Sequence, residues 1–275
     1  MAFIASFAAV SAIFSSIVIY GAGVGLSNAK TLTQGLIIVI ATGAFLTQRA
    51  LIVMRVEGVP TINCFSAHDG SFACLSILRL TVLFALYIRV KGVIKDRIYF
   101  HIATYLSVMS GVASVVLLNY QGLATPYLPG KCVQNFSSVF TAIINALLVG
   151  PYCILNLIMA LPIIYTLNHA PRDSVSTSRI VNQTRLLVKF LQLIPLLLCM
   201  SLVLIIVAAP PSSNLFGFLV SLLFTEFCQI WLLLFPLVVL AADNLATTSD
   251  EHLLLGDHTP QRHSVAEQPG RRTSL

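Results

Sequence analysis

The sequence predicts an all-α membrane protein: a seven-helix bundle with its N-terminus outside the cell and its C-terminus in the cytoplasm. Three observations carry that expectation. First, 57% of the 275 residues are hydrophobic, only 9% are charged, and mean hydropathy is +0.90. Soluble domains carry about a quarter charged residues. Second, seven apolar runs lie near residues 3–26, 34–54, 72–90, 98–119, 136–165, 186–208 and 215–241. Each has about the 20 residues that a bilayer crossing takes at roughly 1.5 Å per residue. None alternates as a barrel strand does. Third, the basic residues are unevenly placed. With the N-terminus outside, Lys30, Arg89, Lys91, Lys95, Arg97, Arg172, Arg179, Arg185, Lys189, Arg262, Arg271 and Arg272 all fall on the cytoplasmic side. Only Arg55 and Lys131 fall outside, the pattern of the positive-inside rule.

The bundle occupies residues 1–241, and residues 242–275 form a polar cytoplasmic tail with the composition of a disordered chain. The net charge of +6 and pI near 9.1 do not imply nucleic acid, because the basic residues sit in short loops and form no aromatic-interleaved patch. The first run is not read as a cleaved signal peptide. It has no basic start, and its removal would invert every later loop. Almost nothing precedes that run, so either no outer N-terminal domain is needed or the chain is truncated.

The first run ends in Gly21, Gly23 and Gly25. The Gly21–Gly25 pair is a GxxxG motif that serves close packing inside the bundle or a homodimer contact. The second run carries Gln48 and Arg49, and the third carries Arg79. At helical rise both arginines lie roughly 7–11 Å inside the run boundaries, and Glu226 of the seventh run lies about 16 Å inside. A carboxylate in hydrocarbon is unfavourable by roughly 2.5–3.5 kcal/mol or more. A buried cluster of Arg49, Arg79 and Glu226, with Gln48 and Gln229 nearby, is therefore expected, against the alternative that each arginine snorkels to the outer interface.

Cys64, Cys74 and Cys132 fall on the outer, oxidising side, where Cys132 pairs with Cys74 or with Cys64 and one thiol is left over. Asn135-Phe-Ser137 is an outer sequon close to the membrane, and Asn182-Gln-Thr184 lies on the wrong side. Pro151, Pro162, Pro195 and Pro236 interrupt the last three runs. An internal proline frees a carbonyl and makes a hinge, with Pro195 and Pro236 the candidates. The tail segment Asp250–Leu255 resembles an acidic dileucine signal, and Thr273-Ser-Leu275 resembles a PDZ ligand.

Seven runs, short basic inner loops and a polar tail resemble a G-protein-coupled receptor. The rhodopsin-like marks are missing: no Asp-Arg-Tyr ends the third run, no Trp lies in the fourth, and no Asn-Pro-x-x-Tyr lies in the seventh. The seventh run also lacks a Lys for a retinal Schiff base. Over about residues 70–248 several stretches have a counterpart elsewhere. They are Thr81-Val-Leu-Phe84 through Arg97-Ile98, Asn135-Phe-Ser-Ser through Ile144-Asn145-Ala-Leu147, Gln192 with Pro195, and Phe235-Pro236-Leu237 followed by Ala241-Ala242. These, with the Gly21–Gly25 pair, are similar to the fungal α-factor-type (class D) mating pheromone receptor family. Departures are Val238, Val239 and Ala241 in place of that family's Ser-Ser and Trp, a three-residue spacing of Gln192 and Pro195, and a short first outer loop.

The resemblance implies a plasma-membrane receptor for an extracellular ligand, a peptide mating pheromone, signalling to a heterotrimeric G protein. Expected ligand-facing residues are Gln48, Arg49, Arg79, Asn145, Glu226 and Gln229. Expected G-protein contacts are Lys91, Lys95, Arg97, Arg172, Arg179 and Arg185. Partners are then the ligand, the G protein, the lipid bilayer and, through Gly21 and Gly25, a second copy. The rivals are a small carrier or channel lined by Glu226 and the arginines, and a chemosensory receptor of another class. Against the carrier, seven spans do not divide into equal repeats. No run offers paired carboxylates, clustered histidines or a nucleophile elbow, and His101 is alone. No enzyme activity, cofactor or metal is therefore expected.

Overall fold

The computed structural model describes residues 2–57, 63–93 and 214–256, with scattered positions between 101 and 207. Four helices run through them: α1 (Ala2–Ser27), α2 (Leu32–Glu57), α3 (Cys64–Val93) and α4 (Leu215–Gly256). Among the described residues all regular structure is helical. Each helix contains a segment of 22 to 26 residues long and apolar enough to cross a membrane: Ala5–Ser27, Leu32–Glu57, Cys64–Ala85 and Leu215–Val238. The chain is a helical membrane protein on this evidence. The runs near 98–119, 136–165 and 186–208 fall largely outside the described residues.

Polar residues fix where the helices begin. Thr31 Oγ1 accepts from the Gln34 amide at 3.2 Å while Gln34 Oε1 accepts from the Lys30 amide at 3.0 Å, a capping-box arrangement before α2. Asn63 Oδ1 accepts from the Phe65 amide at 3.0 Å, and Asn214 Oδ1 from the Gly217 amide at 3.0 Å. At the end of α1, Ser27 and Asn28 donate side-chain hydrogen bonds to the Val24 carbonyl, both at 2.8 Å.

Two helix bounds differ from the apolar runs. α3 starts at Cys64, eight residues before its run, because Asn63 caps a polar first stretch of Ser66, His68 and Asp69 that hydropathy alone leaves out. α4 runs on to Gly256, so the first four turns of the tail are helical where disorder is expected. Good helix formers such as Leu245, Ala246 and Leu253–Leu255 carry it on.

α1 packs on α2 and α4, α3 packs on α2 and α4, and α2 meets α4 across the middle. α4 thus touches all three other helices. Its seam with α1 is built from small residues facing rings. A Cβ on Gly21 would lie 3.0 Å from Trp231 Cζ3, and one on Gly25 would lie 3.3 Å from Ile38 and 3.4 Å from Leu237. The Gly21–Gly25 pair is therefore used inside the monomer, the packing role of a GxxxG motif. Phe14 and Phe227 have ring centroids 4.6 Å apart, and Phe227 stacks on Trp231 at 5.7 Å.

The buried apolar residues fall into two groups. One, toward the start of α1 and the end of α2, joins Phe7, Ile52, Val56, Phe218 and Leu219. The larger one joins Val18, Ile38, Phe45, Leu78, Val82, Cys228 and Leu232–Leu234. Between them on both α2 and α4 lies a polar layer: Gln48, Arg49, Thr225, Glu226 and Gln229 are buried, while Ile13, Ile19, Val39 and Phe84 face outward. Polar groups inside and apolar groups outside suit a lipid surround.

Candidate functional site

The polar layer is built from three helices. On α2, Arg49 follows Gln48 and stands one turn past Phe45, whose ring centroid is 5.3 Å from the guanidinium carbon. On α4, Glu226 and Gln229 are three residues apart and share a face. Glu226 Oε2 forms an ion pair with Arg49 Nη2. Gln48 closes the ring: its Nε2 donates to Glu226 Oε1 at 2.9 Å and its Oε1 accepts from Arg49 Nη2 at 3.1 Å. α2 and α4, far apart in sequence, are thus locked side chain to side chain at membrane depth.

Arg79 of α3 is buried and electrostatically coupled to Arg49. Gln229 is completely buried, and neither amide atom has a hydrogen-bond partner among the described residues. Arg49 is eight residues from the end of α2 and Arg79 fifteen from the start of α3, about 12 Å and 22 Å along the helices. At exposures of 3% and 2% both side chains are buried within the protein.

A second site lies toward Pro236. A cavity of about 370 Å³ opens between α2, α3 and α4, lined by Thr31, Thr33, Gln34, Ile37, Ile38, Ala85, Ile88, Leu233, Pro236 and Leu237. That volume is within the range of small-ligand pockets, roughly 300–1,000 Å³. Its nearest α2 residue, Ile38, is ten residues from Gln48, so about 15 Å of helix separates the cavity from the polar layer.

At the opposite end the chain is tied. Cys64 and Cys132 form a disulfide, which corrects the pairing of Cys132 with Cys74. Cys74 stays free, because it lies ten residues, about 15 Å, further down α3. Arg55 reinforces the tie: its Nε donates to the Cys132 carbonyl at 2.7 Å, and its own carbonyl accepts from the Cys132 amide at 3.4 Å. His68, nearly fully buried, lies 3.5 Å from Asp69 Oδ1, with its ring 4.4 Å from that of Phe72.

Of the expected site residues, the structure gathers Gln48, Arg49 and Glu226 in direct contact, with Arg79 and Gln229 buried in the same layer. Lys91 lies in the last turn of α3. Asn135, Asn145, Lys95, Arg97, Arg172, Arg179, Arg185 and Pro195 lie outside the described residues. Arg55, Thr225 and His68 are among the buried polar groups that sequence reasoning passed over. Arg55 looks like an ordinary loop cation, and the backbone it holds is 77 residues away.

The chain matches no family model, no curated protein and no solved structure.

Proposed function

We propose that the chain is a seven-span receptor of the plasma membrane, N-terminus outside, in which a ligand acting on the polar layer resets α4 and is read out by a heterotrimeric G protein. The observation that carries this reading is the Gln48–Arg49–Glu226 ring. A buried ion pair rarely stabilises a bundle more than apolar side chains of equal volume would. Its use here is as a joint: whatever competes for Arg49 or Glu226 changes how α4 sits on α2, and α4 also walls the cavity and touches every other described helix. Among the described residues, apolar groups flank the layer on both sides. A peptide mating pheromone as ligand rests on the family resemblance alone.

The carrier reading keeps one observation in its favour, an acid at mid-span depth. Nucleotide exchange on a co-expressed Gα, measured beside flux into proteoliposomes, separates the two. Receptor function predicts ligand-driven exchange that falls at least about tenfold in Glu226→Gln, the loss of about 1.4 kcal/mol of coupling. Flux that depends on Glu226, with no exchange on Gα, would overturn the proposal.

A further inference from the structure

The cavity beside Pro236 has a polar end and an apolar end. Its polar end is Thr31, Thr33 and Gln34, where the chain enters α2 directly after the exposed Lys30. Its apolar end is Ile38, Ala85 and Leu233, all buried, with Ile38 roughly 10 Å beyond Thr31 at helical rise. The wall is made entirely by α2, α3, α4 and Thr31.

The capping box decides what the polar end offers. Thr31 Oγ1 accepts from the Gln34 amide and Gln34 Oε1 accepts from the Lys30 amide, so the cap engages an acceptor on each side chain. What it leaves are donors: the Thr31 O–H, the Gln34 Nε2–H groups and the Lys30 ammonium. Donors around a positive charge suit an anion. The other end suits hydrocarbon, since it offers Ile, Ala and Leu side chains and no charge. Beside the cavity Leu32, Leu36 and Ile88 are exposed, so its apolar wall runs on into the surface that a bilayer covers. Anionic head at a basic helix end and chain toward the bundle interior is the polarity of a membrane lipid.

We infer that the cavity between α2, α3 and α4 takes the acyl chain of an anionic membrane lipid, with the lipid's phosphate held at Lys30, Thr31 and Gln34. The site does not rest on the receptor reading and holds for a carrier alike. A zwitterionic lipid is the weaker occupant, because its quaternary ammonium is brought to the same Lys30 charge as its phosphate.

The test uses the full chain in phosphatidylcholine nanodiscs with trace phosphatidylglycerol carrying a photoreactive diazirine in mid-chain. The matched phosphatidylcholine probe is run beside it. Labelled residues are read by peptide mass spectrometry. Val39 and Ile40 are exposed and report ordinary contact with the bilayer, whereas Ile38, Ala85 and Leu233 are buried and are reached only through the cavity. The phosphatidylglycerol probe is expected to label the buried set saturably, and the phosphatidylcholine probe only the exposed pair. Unlabelled phosphatidylglycerol should displace the buried label, and inorganic phosphate at equal ionic strength should not. Ala85→Leu fills the apolar end and should lose the buried label while Val39 and Ile40 stay labelled and the thermal midpoint holds. Ile88→Trp blocks the half-exposed rim and should do the same, so it decides the matter if Ala85→Leu does not fold. Lys30→Gln should bind the probe about fivefold more weakly.

Label confined to Val39 and Ile40 with both probes would overturn the inference. So would equal labelling of the buried set by the two probes, which leaves a hydrocarbon slot without a head site. Displacement by inorganic phosphate would reduce the site to its polar end and sink the lipid. A folded Ile88→Trp protein that keeps the buried label would also overturn it, as would a Lys30→Gln protein of unchanged affinity.

Discussion

The half of the bundle around Cys64 and the half around Pro236 are held by different means. Near Cys64 a disulfide and two hydrogen bonds between Arg55 and Cys132 tie α2, α3 and residue 132 together, and a compact apolar group joins α1, α2 and α4. Near Pro236 the same helices part around a cavity of about 370 Å³, and a proline removes one N–H from the α4 ladder. The Gln48–Arg49–Glu226 ring lies between them. One end is covalently fixed and the other borders a cavity, so the proposed receptor reading expects a change in the ring to be felt toward Pro236.

The largest effect expected is from breaking the boundary itself. Glu226→Leu leaves the buried Arg49 guanidinium without its carboxylate and should cost about 3–5 kcal/mol. Arg49→Met combined with Glu226→Leu should recover much of that loss, because the buried pair goes as a unit. Unfolding in mixed SDS micelles measures both, and a single variant as stable as wild type would remove the ring from the account.

Next in size is the tied half. Cys132→Ser opens a 68-residue separation and should cost about 2–4 kcal/mol in the same assay. Cys74→Ser, by contrast, should leave the bridge intact on non-reducing mass analysis, since Cys74 is a free thiol.

The smallest effects concern the pliable half, where Gly21 and Gly23 form a matched pair. Gly21→Ala drives a methyl to 3.0 Å from the Trp231 ring and should cost about 1–2 kcal/mol. Gly23→Ala meets nothing within 4 Å and should gain about 0.5–1 kcal/mol from helix propensity. Equal effects at the two positions would mean that α1 and α4 do not meet along this seam.

How much of this could be read from the chain depends on what each feature needs. Charges in apolar runs are conspicuous, so Arg49, Arg79 and Glu226 stood out, and Gln48 and Gln229 followed from helical spacing. The joint formed by Gln48, which both donates to Glu226 and accepts from Arg49, needs the register of α2 against α4, and no local pattern encodes that. Hydropathy marks lipid-facing stretches only, so it missed the first two turns of α3, where Asn63 caps a polar segment, and the last four turns of α4. Cysteine counting left Cys132 with two partners. The choice fell to distance along α3, and Arg55, which seats Cys132, carries no sequence signal beyond its charge.

The length of α4 carries its own consequence. Its 42 residues span about 63 Å, roughly twice the thickness of a bilayer's hydrocarbon. Pro236 divides it, with Gly256 twenty residues beyond, about 30 Å away. The segment past the proline is therefore a lever arm: a swing of about 10° at Pro236 carries its tip roughly 5 Å, as far as one helical turn is long. In the proposed receptor reading, a displacement of that size at the tip is what a partner protein would sense.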